Sequence, residues 1–231
     1  MDPVPIILLP GLLCDRVLWE AQIRHFDGRN RLIVPDLTAH DSINALAADV
    51  LNAAPSRFAV AGLSMGGYVA LAIMRMAPER VVRLALLDTS ARPDTPESRR
   101  RRRGLIAQSR IGTFKGVTPR LLRDLVHPRH QIGPVGEAVM AMAVRIGRDA
   151  FVRQQTAIID RVDSRPFLGA ITVPTMIVVG EQDKLTPPVI AAELRDGIPD
   201  ARLMVVPDAG HLPPLEAPEV VNHALEAWLA G

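Results

Sequence analysis

The stretch Phe58-Ala59-Val60-Ala61-Gly62-Leu63-Ser64-Met65-Gly66-Gly67-Tyr68-Val69-Ala70-Leu71 constrains this chain more than any other. A short apolar run enters Gly-x-Ser-x-Gly, and small, helix-competent residues follow up to Pro78, which predicts a strand, a sharp turn and a helix with Ser64 at the tip. A residue at such a tip needs an unusual backbone conformation and small neighbours. Gly62 and Gly66 meet that need, and Gly67 lets the new helix lie close to the sheet. The free amides of the helix start would then sit beneath the hydroxyl. By itself the pattern is weak, since chance places it in about one chain in ten of this length. An ordinary strand-to-helix connection with Ser64 as N-cap would look the same.

The flanking chain repeats the alternation. Apolar runs at 6–9, 32–34, 57–63, 82–87, 175–179 and 202–206 read as strands, apolar throughout instead of on alternate residues. Helical spacing marks 18–26, 188–195, 218–229 and a helix capped by Ser42, with Ile43, Leu46, Ala47, Val50 and Leu51 on one face. Doubly buried strands alternating with helices predict an α/β fold, a mostly parallel sheet flanked by helices. Residues 89–165 break this rhythm with helix-like pieces only, at 97–110, 119–126, 135–146 and 149–162, punctuated by Pro128, Gly133, Pro134, Gly136 and Gly147. The expected organisation is a core of residues 1–88 and 166–231, with 89–165 a helical cap insertion over the carboxyl ends of the strands, where such sheets bind ligands.

Length and composition bound the rest. A chain of 231 residues can bury a substantial core, and with aromatics at 3% that core must come from Leu, Val, Ile, Ala and Met. One cysteine, Cys14, leaves no intrachain disulfide and fits a reducing compartment. The first residues carry an acid and two prolines with no basic stretch before the apolar run, so no signal peptide is expected. No apolar run reaches the roughly 18 residues of a membrane span, and the expected location is cytoplasmic, away from membranes. No metal-ligand spacing, phosphate loop or dinucleotide glycine fingerprint occurs, so neither metal nor cofactor is expected. The net charge of +2 is unevenly spread: residues 89–165 hold 16 basic and 7 acidic residues, the remainder 11 and 18. Within the basic middle, Arg99 to Arg103 are either a solvated helix face or an electrostatic attractor for carboxylate-bearing substrates. Nucleic-acid binding is not expected, because no aromatic stacking residues accompany them.

A serine hydroxyl is a poor nucleophile near neutral pH and needs an adjacent base, itself oriented by a third group. Of six histidines, His211 lies in a loop leaving the last predicted strand, at the same sheet edge as Ser64. His25, His127, His130 and His223 fall in predicted helices or the insertion and read as surface or packing residues. His40 follows the second strand and borders the site, with no proton transfer assigned to it. Asp183, in Gly180-Glu181-Gln182-Asp183, follows the penultimate strand beside the His211 loop. Asp88, which closes the fourth strand, is its rival. Cys14 reads as a small filler, and Met65, Met74 and Met76 as core or pocket lining.

The order Ser64, Asp183, His211, together with Leu9-Pro10-Gly11-Leu12, Pro35-Asp36-Leu37 and Ala209-Gly210-His211, resembles the α/β-hydrolase superfamily over nearly the whole chain. Within it the chain is similar to compact capped esterases and enol-lactone hydrolases. The resemblance implies a serine hydrolase cleaving a small carboxylic ester or lactone through an acyl-enzyme on Ser64, with the amides of Leu12 and Met65 as oxyanion hole. Two positions depart from the common pattern: Pro10 stands where histidine is frequent, and Asp41 where a glycine often follows the histidine. The same three side chains would equally serve thioester hydrolysis, acyl transfer or carbon–carbon cleavage, or a ligand-binding protein with negligible turnover.

Overall fold

A computed structural model describes residues 3–230. Six strands, β1 (Ile6–Leu9), β2 (Leu32–Ile33), β3 (Phe58–Leu63), β4 (Val81–Leu87), β5 (Thr175–Gly180) and β6 (Arg202–Val206), form one sheet in the order β2-β1-β3-β4-β5-β6. Every pairing is parallel, so each return to the sheet requires a crossover, made mostly by helices. The crossover helices are α1 (Glu20–Phe26), α2 (Ile43–Ala53), α3 (Met65–Met76), α4 (Pro96–Ser109), α5 (Pro119–Leu125), α6 (Pro134–Ile159) and α7 (Pro188–Gly197); α8 (Pro213–Glu216) and α9 (Pro218–Ala230) follow the last strand. From β1 the chain adds β2 on one side and β3 on the other. The crevice where such an order reverses is where open α/β sheets bind ligands, and it lies between the ends of β1 and β3.

The side-chain period of two sends alternate strand residues to opposite layers. Ile7, Leu9, Phe58 and Val60 join the α2, α3 and α7 layer, while Ile6, Leu8, Ala59 and Ala61 join that of α1 and α9. All residues of β1, β3 and β5 are buried, as continuous apolar runs require. The edges differ from expectation. β2 is only two half-buried residues, ending before Pro35, which has no N–H to continue a ladder. β6 leaves Arg202 and Val205 exposed because no element covers its outer side fully. Ser42 caps α2 as expected, its Oγ accepting from Ala45 N.

Between β4 and β5 the chain is helical. The two helices expected at 135–146 and 149–162 are both present: they make up α6 and meet at Gly147, whose φ of 79° and ψ of 176° are not helical. Leu122, Val126, Val139, Met142 and Phe151 enter the same apolar cluster as Trp19, Leu63 and Leu212, so these helices share the core of the sheet and form none of their own. No helix of the described residues is long and apolar enough to cross a membrane.

Candidate active site

Ser64 sits at the tip of the turn between β3 and α3 with φ 54° and ψ −114°, a conformation costing about 1–3 kcal/mol for a residue with a Cβ. The surroundings hold it there. Ser64 N donates to Leu87 O at 2.9 Å, and Thr89 Oγ1 donates to the Ser64 carbonyl at 2.7 Å. Gly66 lets the first turn of α3 rest on the end of β1, where any Cβ would run into the Leu9 carbonyl.

His211 arrives on the loop after β6. Its backbone N donates to Leu125 O at 2.8 Å, which fixes the loop against the end of α5. Buried Glu216 holds the same loop from below. It accepts from Gly210 N and Leu212 N at 3.0 Å and from His127 N at 2.7 Å. The loops after β5 and β6 touch through Gly180, where a Cβ would occupy the space of the Gly210 carbonyl.

The three side chains meet. His211 Nε2 is 2.9 Å from Ser64 Oγ, and His211 Nδ1 is 2.8 Å from Asp183 Oδ2. Asp183 also accepts from Leu185 N (2.8 Å) and Thr186 N (3.1 Å) on Oδ1, and from Thr186 Oγ1 (2.7 Å) on Oδ2. Burial opposes its charge, but His211 and the Thr186 hydrogen bonds outweigh burial and hold the carboxyl well below the usual carboxylate range. An ionised Asp183 can only accept, so Nδ1 carries the imidazole proton and Nε2 is free to accept from the Ser64 hydroxyl.

The Met65 amide opens α3, where a helix has no acceptor of its own for its first N–H groups. Among the described residues the Leu12 amide donates to no protein group. The loop bearing Leu12 is tied in place by Gln154 of α6, which accepts from Leu13 N and donates to Leu37 O, both at 3.1 Å. Leu13 itself has φ 59°. Beside it the Cys14 thiol is pushed up to about 12 by burial and by the charge of Asp15, so it stays protonated and unreactive near neutral pH.

Asp88, the rival acid, is not where His211 points, yet it lies close by. Its Oδ1 accepts from Gly180 N at 2.9 Å. The ligating atoms of Asp88, Asp183 and His211 fall within 4.8 Å of one another, but a cation there would have to displace the His211–Asp183 hydrogen bond. His40 touches none of Ser64, Asp183 and His211. Its ring pairs with Asp49 Oδ2 at 2.6 Å on the surface of α2, a partner that the sequence around His40 does not reveal. His25 pairs with Glu226, and His223 is exposed. Glu216, Gln154 and Thr89 escape sequence reading because their partners are backbone groups, which any residue type can supply. Thr186 had a signal, standing three residues after an acid at a helix start.

The Alpha/beta hydrolase family matches residues 6–224, and the chain belongs to that family. It is 25% identical over 236 residues to the pimeloyl acyl-carrier-protein methyl ester esterase of Nitrosomonas europaea, covering 93% of this chain and 91% of the relative. The solved structure of a thermophilic esterase from Thermogutta terrifontis superposes with a TM-score of 0.88 at 30% identity, covering 99% of this chain and 90% of that one. The enol-lactonase of Burkholderia xenovorans LB400 shares the fold, with a TM-score of 0.88 at 24% identity over 99% of this chain and 92% of that one.

Proposed function

We propose that this protein is a serine hydrolase of small carboxylic esters, lactones included as cyclic esters, with Ser64 as nucleophile, His211 as general base and Asp183 as orienting acid. The observation that carries this is the His211 ring bridging Ser64 Oγ and Asp183 Oδ2 at 2.9 and 2.8 Å. Ser64 attacks the acyl carbonyl while Nε2 takes its proton, and the imidazolium so formed is stabilised by Asp183, which stays ionised. The amides of Leu12 and Met65 receive the oxyanion. His211 then returns the proton to the leaving alkoxide, and water, activated by the same nitrogen, releases the acid and frees Ser64. The relatives with esterase names favour an ester over the thioester, acyl-transfer and carbon–carbon alternatives. Residues 89–165 serve as a cap, shaping the acyl pocket above this rim.

The test is turnover of p-nitrophenyl acetate and butyrate, together with labelling by a serine-directed fluorophosphonate. Ser64→Ala should lower kcat by a factor on the order of 10⁴ to 10⁶ and abolish labelling. Ester cleavage retained in pure Ser64→Ala protein would overturn the assignment, and labelling of native protein without turnover would favour a binding role.

A further inference from the structure

A third buried acid stands beside the His211–Asp183 pair, and the reaction as written does not use it. Asp88 closes β4 with φ 44°, in the left-handed region that Asp and Asn tolerate better than most residues. While its Oδ1 accepts from Gly180 N, its Oδ2 is shut off from solvent with no donor facing it. Leaving a carboxylate oxygen buried and bare is costly, and two carboxylates this close to one another resist carrying charge together. A proton on Asp88 Oδ2 removes both costs, because the acid then donates toward Asp183. Burial first, and then the charge of Asp183 with a contribution from Glu216, push the Asp88 carboxyl well above its ordinary range, opposed only in part by the Gly180 amide.

We propose that Asp88 is a second acid of this site: a neutral donor to Asp183 in the native protein, and the carboxylate that pairs with His211 once Asp183 is removed. The proposal rests on the serine-hydrolase reading and can fail separately from it. The charged or titratable groups facing Asp88 are Asp183 and His211, from the loops after β5 and β6, and Glu216 of α8. Without Asp183, the nearest like charge is gone and the imidazolium formed in each turnover becomes the nearest opposite charge. Ionised Asp88 then accepts from His211 Nδ1–H and keeps Nε2 available as base. Burial still opposes its charge, so this arrangement forms at higher pH than the native pair.

The experiment compares Asp183→Ala, Asp88→Asn and the double variant in ester hydrolysis across pH, with Ser64→Ala beside them. The amide introduced by Asp88→Asn copies the neutral acid, its oxygen still accepting from Gly180 and its NH₂ donating where the proton was, and an asparagine tolerates the backbone. Removing a triad acid costs on the order of 10⁴ in kcat where nothing replaces it. Here Asp183→Ala should lose only about 10², the double variant the full 10⁴ or so, and Asp88→Asn alone less than about ten-fold. The Asp183→Ala rate should also climb with pH through the range where the native rate is level. A double variant within about three-fold of Asp183→Ala, or a pH profile overlaying the native one, would overturn the proposal. Activity in Ser64→Ala would instead sink the underlying mechanism.

Should Asp183→Ala not fold, melting curves of Asp88→Asn against the native chain decide. A carboxyl raised in the folded state holds its proton after the unfolded chain has lost it. Native stability from this group therefore falls as pH rises above about 4, whereas the amide of the variant, which does not titrate, shows no such loss. The Tm advantage of Asp88→Asn should widen from about pH 4 to about pH 8, and a constant difference would count against a protonated Asp88.

Discussion

The rim formed by the ends of β1, β3, β5 and β6 and the helical stretch above it are built on opposite terms. At the rim, Asp183 and His211 are 3% and 4% exposed, and their loops are pinned by backbone amides, by Glu216 and by glycines where no Cβ fits. In the helical stretch, α4 buries no residue at all, and Ile111, Ile132 and Val144 lie open to solvent. Reacting atoms must be held to within a fraction of an ångström, which needs burial and saturated hydrogen bonds. A region that holds no reacting atom has no such need, and can carry exposed apolar and basic groups. The two regions are nonetheless joined, among other contacts, by Gln154 on Leu13 and Leu37, Leu125 on His211, and His127 on Glu216.

If rigidity belongs to the rim, the largest effect comes from disturbing the contact of the Ser64 turn with β1. Gly66→Ala forces a methyl group onto the Leu9 carbonyl and parts the Met65 amide from the Leu12 loop. It should cost about 3 kcal/mol, lowering Tm by roughly 6–12 °C, and cut kcat on the order of 10²-fold or more. Unchanged melting would mean that the turn is not anchored on β1. Next comes Glu216→Gln, which keeps one acceptor oxygen for three buried amides and sets an NH₂ group against the rest. The expected loss is about 2 kcal/mol, with kcat falling about ten-fold through a misplaced His211 while KM changes less. Equal changes in kcat and KM would show that the loop positions substrate instead of imidazole.

The sequence made the rim far more legible than its supports. Ser64, Asp183 and His211 each follow an apolar run, and a parallel sheet delivers the ends of such runs to one edge, so their meeting follows from strand order alone. Glu216 and Gln154 could not be read in the same way. Their partners are backbone groups as much as 141 residues away, and a side chain bonded to a backbone amide leaves no residue-type signature on the other side. His40 also follows a strand, but β2 is an edge strand of two residues, and the ring pairs with Asp49 of α2, a partner the residues around it do not signal. Asp88 reads as an acid at a strand end, but that its carboxyl meets the Gly180 amide beside Asp183 depends on the β4–β5 register, which no residue pattern encodes.

The joint between the two regions gives an intermediate effect. Gln154→Leu keeps the volume and removes two hydrogen bonds, leaving the buried Leu13 amide and Leu37 carbonyl without partners. Stability should drop by about 1–2 kcal/mol, measured by urea unfolding. If α6 steadies the oxyanion loop, kcat should fall several-fold with the fluorophosphonate still able to label Ser64. A stability loss with unchanged kcat would separate the helical stretch from the chemistry altogether.

The smallest effect concerns the arginines of α4, and it tests whether the upper region contributes through its charge. Arg102 is committed, donating to Asp94 Oδ2 at 2.7 Å and to Gln155 Oε1 at 2.8 Å, whereas Arg100, Arg101 and Arg103 are exposed. Replacing those three with Gln should shift stability by no more than about 0.5 kcal/mol, as surface changes away from packed features do. Their field, however, extends over about 10 Å at 0.1 M salt and shrinks to about 3 Å at 1 M. With native protein, kcat/KM for a carboxylate-bearing ester should therefore fall on the order of three- to ten-fold between those two conditions, while a neutral ester of similar size holds steady. The triple Gln variant should flatten the first curve and leave the second alone. Identical salt responses from both esters would reduce the arginine run to a solvated helix face, and the contrast between the two regions would then be one of rigidity only.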